Sequence, residues 1–187
     1  LAHFGYEMSD DQALSMRSLG RPYAPKHLKE MFHDENLDYT TIRNYRKEIM
    51  EECLQKNGIE LKKGAVELLE FLKTKNVKRA IATATDEERA RKYLKQIGLE
   101  PYFDKIICAT MVEYGKPSPD IYEYACRQLK LLPEECMAVE DSPNGVLSAY
   151  RAGCKVVMVP DQTEPEEALK EILYGCVENL LEIRKYF

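Results

Sequence analysis

Apolar positions change rhythm part-way along this chain. Up to about residue 60 they recur every three to four residues, the period of helices with one buried face. Ser9-Asp10-Asp11-Gln12 forms a capping box ahead of Ala13, Leu14, Met16 and Leu19, and Gly20 ends that helix. Pro22 and Pro25 predict a loop over 21–25, since proline disrupts a helix interior. A short helix over 26–32 carries Leu28, Met31 and Phe32. Asp38 caps a longer one with Ile42, Tyr45, Ile49 and Cys53 on its face, and Asn57-Gly58 stops it.

Beyond Gly64 short apolar runs alternate with helical patterns. Ala65, Leu68, Leu69 and Leu72 mark a helix. Strands are then predicted over 77–83, 105–110, 136–139 and 155–160, and helices over 86–97, 118–131, 146–152, 164–173 and 177–186. Four strands separated by helices predict an α/β fold with a Rossmann-like parallel sheet, right-handed crossovers and helices on both faces. The organisation expected is a helical cap domain over 1–62 and an α/β core domain over 63–187.

Composition narrows the partners. A net charge of -5 argues against nucleic acid, which wants clustered Lys and Arg. No apolar run approaches the roughly 20 residues of a membrane span, so no membrane partner is expected. The opening residues Leu1 to Tyr6 have neither a basic start nor an apolar stretch, and a cytoplasmic protein is expected. The six cysteines are scattered, with no C-x-x-C, and read as reduced thiols rather than disulfides or zinc ligands. All three histidines fall in the first 33 residues and no G-x-S-x-G occurs, so nothing favours a Ser-His-Asp triad.

Candidate chemistry gathers where the strands end. The run Cys136 to Val139 stops at Glu140-Asp141, two adjacent carboxylates at a strand C-terminus, where open α/β sheets bind ligands. Such a pair suits a hard cation such as Mg²⁺, although acids also open solvated loops and stabilise helix N-termini. The 77–83 strand leads into Thr83-Ala84-Thr85-Asp86, whose hydroxyls and backbone N–H groups suit a phosphate oxygen or cap the next helix. Gly115 and two prolines fix Lys116 beyond the second strand, as a charge neutraliser or a solvated lysine. Hydroxyl, ammonium and acid pair after successive strands make up an apparatus for phosphoryl transfer that lacks a nucleophile.

The segments Ile81 to Thr85, Gly115 to Tyr122 and Val139 to Gly145 closely resemble three successive motifs of the haloacid dehalogenase superfamily, in its β-phosphoglucomutase-like phosphatase subgroup. That resemblance implies that Thr83 and Ala84 bind the transferring phosphoryl group. It implies that Lys116 stabilises its charge, and that Asp141 and Glu140 hold Mg²⁺, with Asp141 the safer ligand. It also implies a first strand ending in Asp-x-Asp, whose first Asp is the nucleophile, and no Asp-x-Asp occurs here. The resemblance seats that missing strand between the strands ending at Thr83 and at Asp141, so the expectation is a fragment of a longer protein whose two open strand edges are prone to self-association. The flanking strands closing up, or a partner chain filling the gap, are the alternatives.

The function expected is a Mg²⁺-dependent phosphatase of a small phosphorylated metabolite, acting through an aspartyl-phosphate in the full-length protein, with this chain inactive by itself. A sugar-phosphate mutase is the first alternative. It needs cations for a second phosphate, for which Arg17 and Arg21 are candidates, but Asp86 and Glu87 place acids where a mutase prefers donors. A non-catalytic phosphate- or partner-binding fragment is the second.

Overall fold

The computed structural model describes residues 1–187. Helix α1 (Asp10–Ser15) starts at the capping box: the Gln12 N–H donates to Ser9 Oγ at 3.2 Å and the Ser9 N–H to Gln12 Oε1 at 2.9 Å. Helix α2 (Tyr23–Phe32) begins inside the expected loop. Pro25 sits in its first turn, where a backbone N–H has no intrahelical partner, so the proline removes nothing the helix needs. Asp38 caps α3 (Tyr39–Asn57) by accepting from the Thr41 N–H at 3.1 Å. Although α3 is the longest helix, it fully buries no residue, whereas α2 buries Ala24 and Leu28.

After α4 (Ala65–Thr74) come β1 (Ala80–Thr83), α5 (Glu87–Gln96), β2 (Lys105–Cys108), α6 (Asp120–Leu129), β3 (Met137–Glu140), α7 (Pro143–Arg151) and β4 (Lys155–Met158). The alternation follows the apolar runs; β1, β2 and β4 are shorter than expected, at four residues each, and β3 is shifted by one residue. The C-terminal part departs from expectation. Only Glu167–Lys170 is α-helical there (α8), Gly175–Cys176 adds a strand β5, and Leu180–Tyr186 winds as a 3₁₀-helix. Val177 and Ile183 reach one apolar cluster with Leu68, Val157 and Val159. Their burial needs no continuous α-helix, which is why a period of apolar residues misread this segment.

All strand pairs are parallel, but they form two sheets, β1-β2 and β3-β4-β5. No ladder joins β1 to β3, so the break falls between the strands that end at Thr83 and Glu140, and these flanking strands do not close up on each other. The halves are packed unequally. A cluster of 13 buried residues surrounds β4, α6 and α7, with Val156 and Met158 at 1% and 0% exposure. The β1-β2 half rests on Ala90, Ile106 and Cys108. Val139, at the middle of β3, is 38% exposed, as an unpaired edge requires.

The helical segment touches the strand ends closely. The Gly20 N–H donates to the Lys116 carbonyl at 2.8 Å and the Gly115 N–H to the Arg21 carbonyl at 2.6 Å. A Cβ on Gly20 would lie 2.5 Å from the Gly115 Cα, so neither position has room for a side chain. No helix is long and apolar enough to cross a membrane.

Candidate active site

The loop between β2 and α6 carries Lys116 into the break between the sheets, where its side chain is 5% exposed. Its ammonium donates to the Ala82 carbonyl of β1 at 3.1 Å and to Glu140 Oε1 at the end of β3, and so bridges the two half-sheets. The Tyr122 hydroxyl donates to the same Glu140 oxygen, and Lys116 Nζ stands 5.1 Å from the Tyr122 ring centroid. Burial, and then the Glu140 charge, push the Tyr122 phenol well above its ordinary pKa, so it is a fixed donor. The second Glu140 oxygen accepts from the Asp141 N–H at 3.3 Å and lies against Gly145 at the first turn of α7. That helix N-terminus favours the negative charge, and Gly145 leaves the room it occupies.

Asp141, one residue on, faces the other way. Its Oδ2 accepts from Arg17 Nη2 at 2.5 Å, and the same nitrogen reaches Asp161 Oδ2 at 2.5 Å. Lys62 Nζ lies 3.2 Å from Asp161 Oδ1. Asn144 Nδ2 donates to the Arg17 carbonyl at 2.9 Å and so fixes the backbone that presents the guanidinium. Ser142 caps α7 by accepting from the Gly145 N–H at 3.3 Å.

The remaining candidates take local roles. Thr83 Oγ1 accepts from the Thr85 N–H at 3.1 Å, a turn that leaves its hydroxyl hydrogen free, and Ala84 beside it is exposed. Asp86 caps α5 by accepting from the Arg89 N–H at 3.1 Å and pairs with the Arg89 guanidinium at 2.9 Å, and Lys47 lies 3.7 Å from it. Arg21 reaches the Ala109 carbonyl at 3.3 Å. Thus Lys116 and Glu140 come together, Thr83 lies on the strand that Lys116 also touches, and Asp141 joins Arg17 rather than Glu140. Tyr122 and Asp161 were not expected as neighbours of these groups. Asp161 simply follows the fourth predicted strand, and a phenol one turn into a helix carries no signal of its own.

The arrangement does not fit Mg²⁺ as it stands. A hard octahedral cation wants several oxygen ligands, and no group of three or more His, Cys, Asp or Glu side chains is placed to hold a metal. Glu140 is committed to Lys116 and Tyr122, and Asp141 to Arg17.

The haloacid dehalogenase-like hydrolase family profile matches residues 1–159. The chain belongs to that family. Among relatives, a phosphorylated carbohydrates phosphatase of Thermotoga maritima is 37% identical over 115 residues, covering 60% of this chain and 53% of the relative. Hexitol phosphatase A of Escherichia coli is 40% identical over 108 residues, covering 58% of this chain and 50% of the relative. The chain therefore spans about half the length of these curated relatives. A solved structure described as a putative β-phosphoglucomutase from Thermotoga maritima superposes with a TM-score of 0.67 at 29% identity, over 99% of this chain and 87% of that one. Family members thus include phosphatases and β-phosphoglucomutases, and the fold is the family's parallel α/β architecture.

Proposed function

We propose that this chain carries the phosphate-binding part of a phosphomonoesterase acting on a small phosphorylated metabolite, with residues 1–62 as a helical cap over a core of residues 63–187. The observation that carries the reading is the Lys116 ammonium, buried between the two half-sheets against the Ala82 carbonyl and Glu140, one residue along β1 from Thr83. An ammonium has three donors. Two are satisfied by Ala82 and Glu140, which leaves one for a phosphoryl oxygen. Thr83 supplies a hydroxyl at the same edge, and the exposed residue Ala84 follows it with its backbone N–H. Such a set is complementary to charge that builds on the transferring group, and preorganised charge of this kind is usually the largest single contribution to such catalysis.

The chain itself offers no carboxylate placed as nucleophile beside Lys116. Glu140 is held in its ion pair, and Asp10, Asp11 and Asp34 belong to the helical segment. An Asp at the C-terminal end of a strand seated between β1 and β3 would stand between Thr83 and Asp141, where an aspartyl-phosphate could form. Asp141 would be at most half of a Mg²⁺ site, available only if Arg17 gave it up, and a metal would need further carboxylate from outside this chain. Asp86 caps α5 and engages the cations near it, Arg89 at 2.9 Å and Lys47 at 3.7 Å, and an acid in that place favours hydrolysis over mutase chemistry.

The test is turnover of a chromogenic phosphomonoester with Mg²⁺. The 187-residue chain should be inert, and adding a strand that ends in Asp-x-Asp should restore activity. In the restored protein Lys116→Ala should lower kcat by ~10²–10³. Robust turnover by the chain alone, or a loss below tenfold in the variant, would overturn the reading.

A further inference from the structure

Three thiols meet one helical turn beyond the buried ion pair. Cys126 lies in α6 one turn after Tyr122, Cys154 immediately precedes β4, and Cys136 immediately precedes β3. Cys126 Sγ and Cys154 Sγ are 3.8 Å apart, and both belong to the main apolar cluster, at 4% and 7% exposure. Cys136 packs partly buried against that cluster, and its carbonyl accepts from the Lys155 N–H at 3.0 Å. None of the proposed phosphoryl chemistry uses them.

The two close thiols are unequal. Either sulfur can donate in this contact; sharing it with Cys126 draws the Cys154 thiol below its ordinary pKa, against the opposing effect of burial. The same bond, with burial, pushes Cys126 up. Burial pushes Cys136 up to about 12. With Cys126 as the donor, Cys154 is the sulfur that ionises more readily, and the 3.8 Å contact sets a second thiol beside it.

We propose that Cys126 and Cys154 are a site of reversible oxidation that closes a disulfide between α6 and the start of β4 when hydrogen peroxide reaches it. The Cys154 thiolate attacks the peroxide oxygen and the O–O bond breaks. With one proton taken up, Cys154 becomes a sulfenic acid and one water leaves. Cys126 sulfur then attacks the sulfenic sulfur, its thiol proton goes to the departing hydroxide, and a second water leaves as the S–S bond forms. Two thiols are oxidised by two electrons and one peroxide is reduced to two waters. The link would tie α6, which carries Tyr122, to β4, which pairs directly with the Glu140 strand.

The experiment treats the folded chain with hydrogen peroxide, alkylates the remaining thiols under denaturing conditions, and maps peptides by mass. The expected product is a Cys126–Cys154 cross-linked peptide that dithiothreitol reverses, absent in Cys154→Ser. The cross-linked protein should melt higher by roughly 5 °C, from closure of the intervening loop in the unfolded chain. Oxidation confined to the exposed Cys53 and Cys176, a cross-link through Cys136, a Cys126–Cys154 link that forms only in urea, or a linked form that melts below the reduced one would each overturn the proposal.

Discussion

Lys116–Glu140 and Arg17–Asp141 are ion pairs whose acids are neighbours in sequence. The first pair is 5% and 6% exposed, and every partner of Glu140 lies in the strand-bearing half of the chain. The second is 17% and 35% exposed and joins the helical segment to the strand ends. A strand alternates its faces, so the last residue of β3 and the residue beyond it must look in opposite directions. One carboxylate is therefore taken out of water, where it holds its place only because Lys116, the Tyr122 hydroxyl and a backbone N–H satisfy it. The other stays at the water boundary and can exchange partners. The buried pair links the two half-sheets, and the outer pair links the helical segment to the strand ends.

Breaking the buried pair should have the largest effect. Lys116→Met strands a carboxylate in the interior and should lower unfolding stability by ~3–5 kcal/mol. Adding Glu140→Gln, which keeps an acceptor for Tyr122, should recover at least half. Urea denaturation of the wild type, both single variants and the double closes the cycle, and an additive result would show that the pair is not coupled.

An intermediate effect is expected from the roof over Glu140. Gly145→Ala places a methyl group where the Glu140 carboxylate sits, and should cost about 1–3 kcal/mol. In a Glu140→Ala background most of that loss should vanish. Equal losses in both backgrounds, read from melting curves, would remove Gly145 from the account.

The smallest effect belongs to the outer pair. Arg17→Ala should change stability by roughly 0–1 kcal/mol at pH 7. Partial burial pulls Asp161 upward, but Lys62 and Arg17 outweigh it and hold the carboxyl below its ordinary pKa. A depressed carboxylate contributes stability above its unfolded pKa of about 4 and loses that contribution as pH falls through the lower folded value. The difference between wild type and Arg17→Ala should therefore shrink on acidification below about pH 4. A gap that widens in acid, in denaturation series at pH 7 and pH 3, would reverse the sign of the proposed coupling.

How far sequence carried the reading differs between these groups. The strand–helix alternation, the caps at Ser9, Asp38 and Asp86, and the placing of Thr83, Lys116 and Glu140 after successive strands followed from periodicity and turn chemistry. The stretch after Glu164 did not, because a two-residue strand and a 3₁₀ turn bury Val177 and Ile183 as well as a helix would. The early start of α2 was hidden by Pro25, whose missing N–H matters only past the first turn. The partner of Asp141 was hidden for another reason: Arg17 lies 124 positions away, and local patterns carry no information about that meeting.

The sequence by itself determined the alternation of β1 to β4 with helices, the turn chemistry between them and the family, since these rest on local periods and short motifs. It also implied a gap, through the absence of Asp-x-Asp. Only the tertiary structure decided that the gap stays open as two separate sheets, that Lys116 bridges it, and that the acid pair divides, Glu140 to Lys116 and Asp141 to Arg17. Which charge meets which depends on burial and on long-range packing, where the desolvation of a carboxylate makes its nearest cation a necessity rather than a preference.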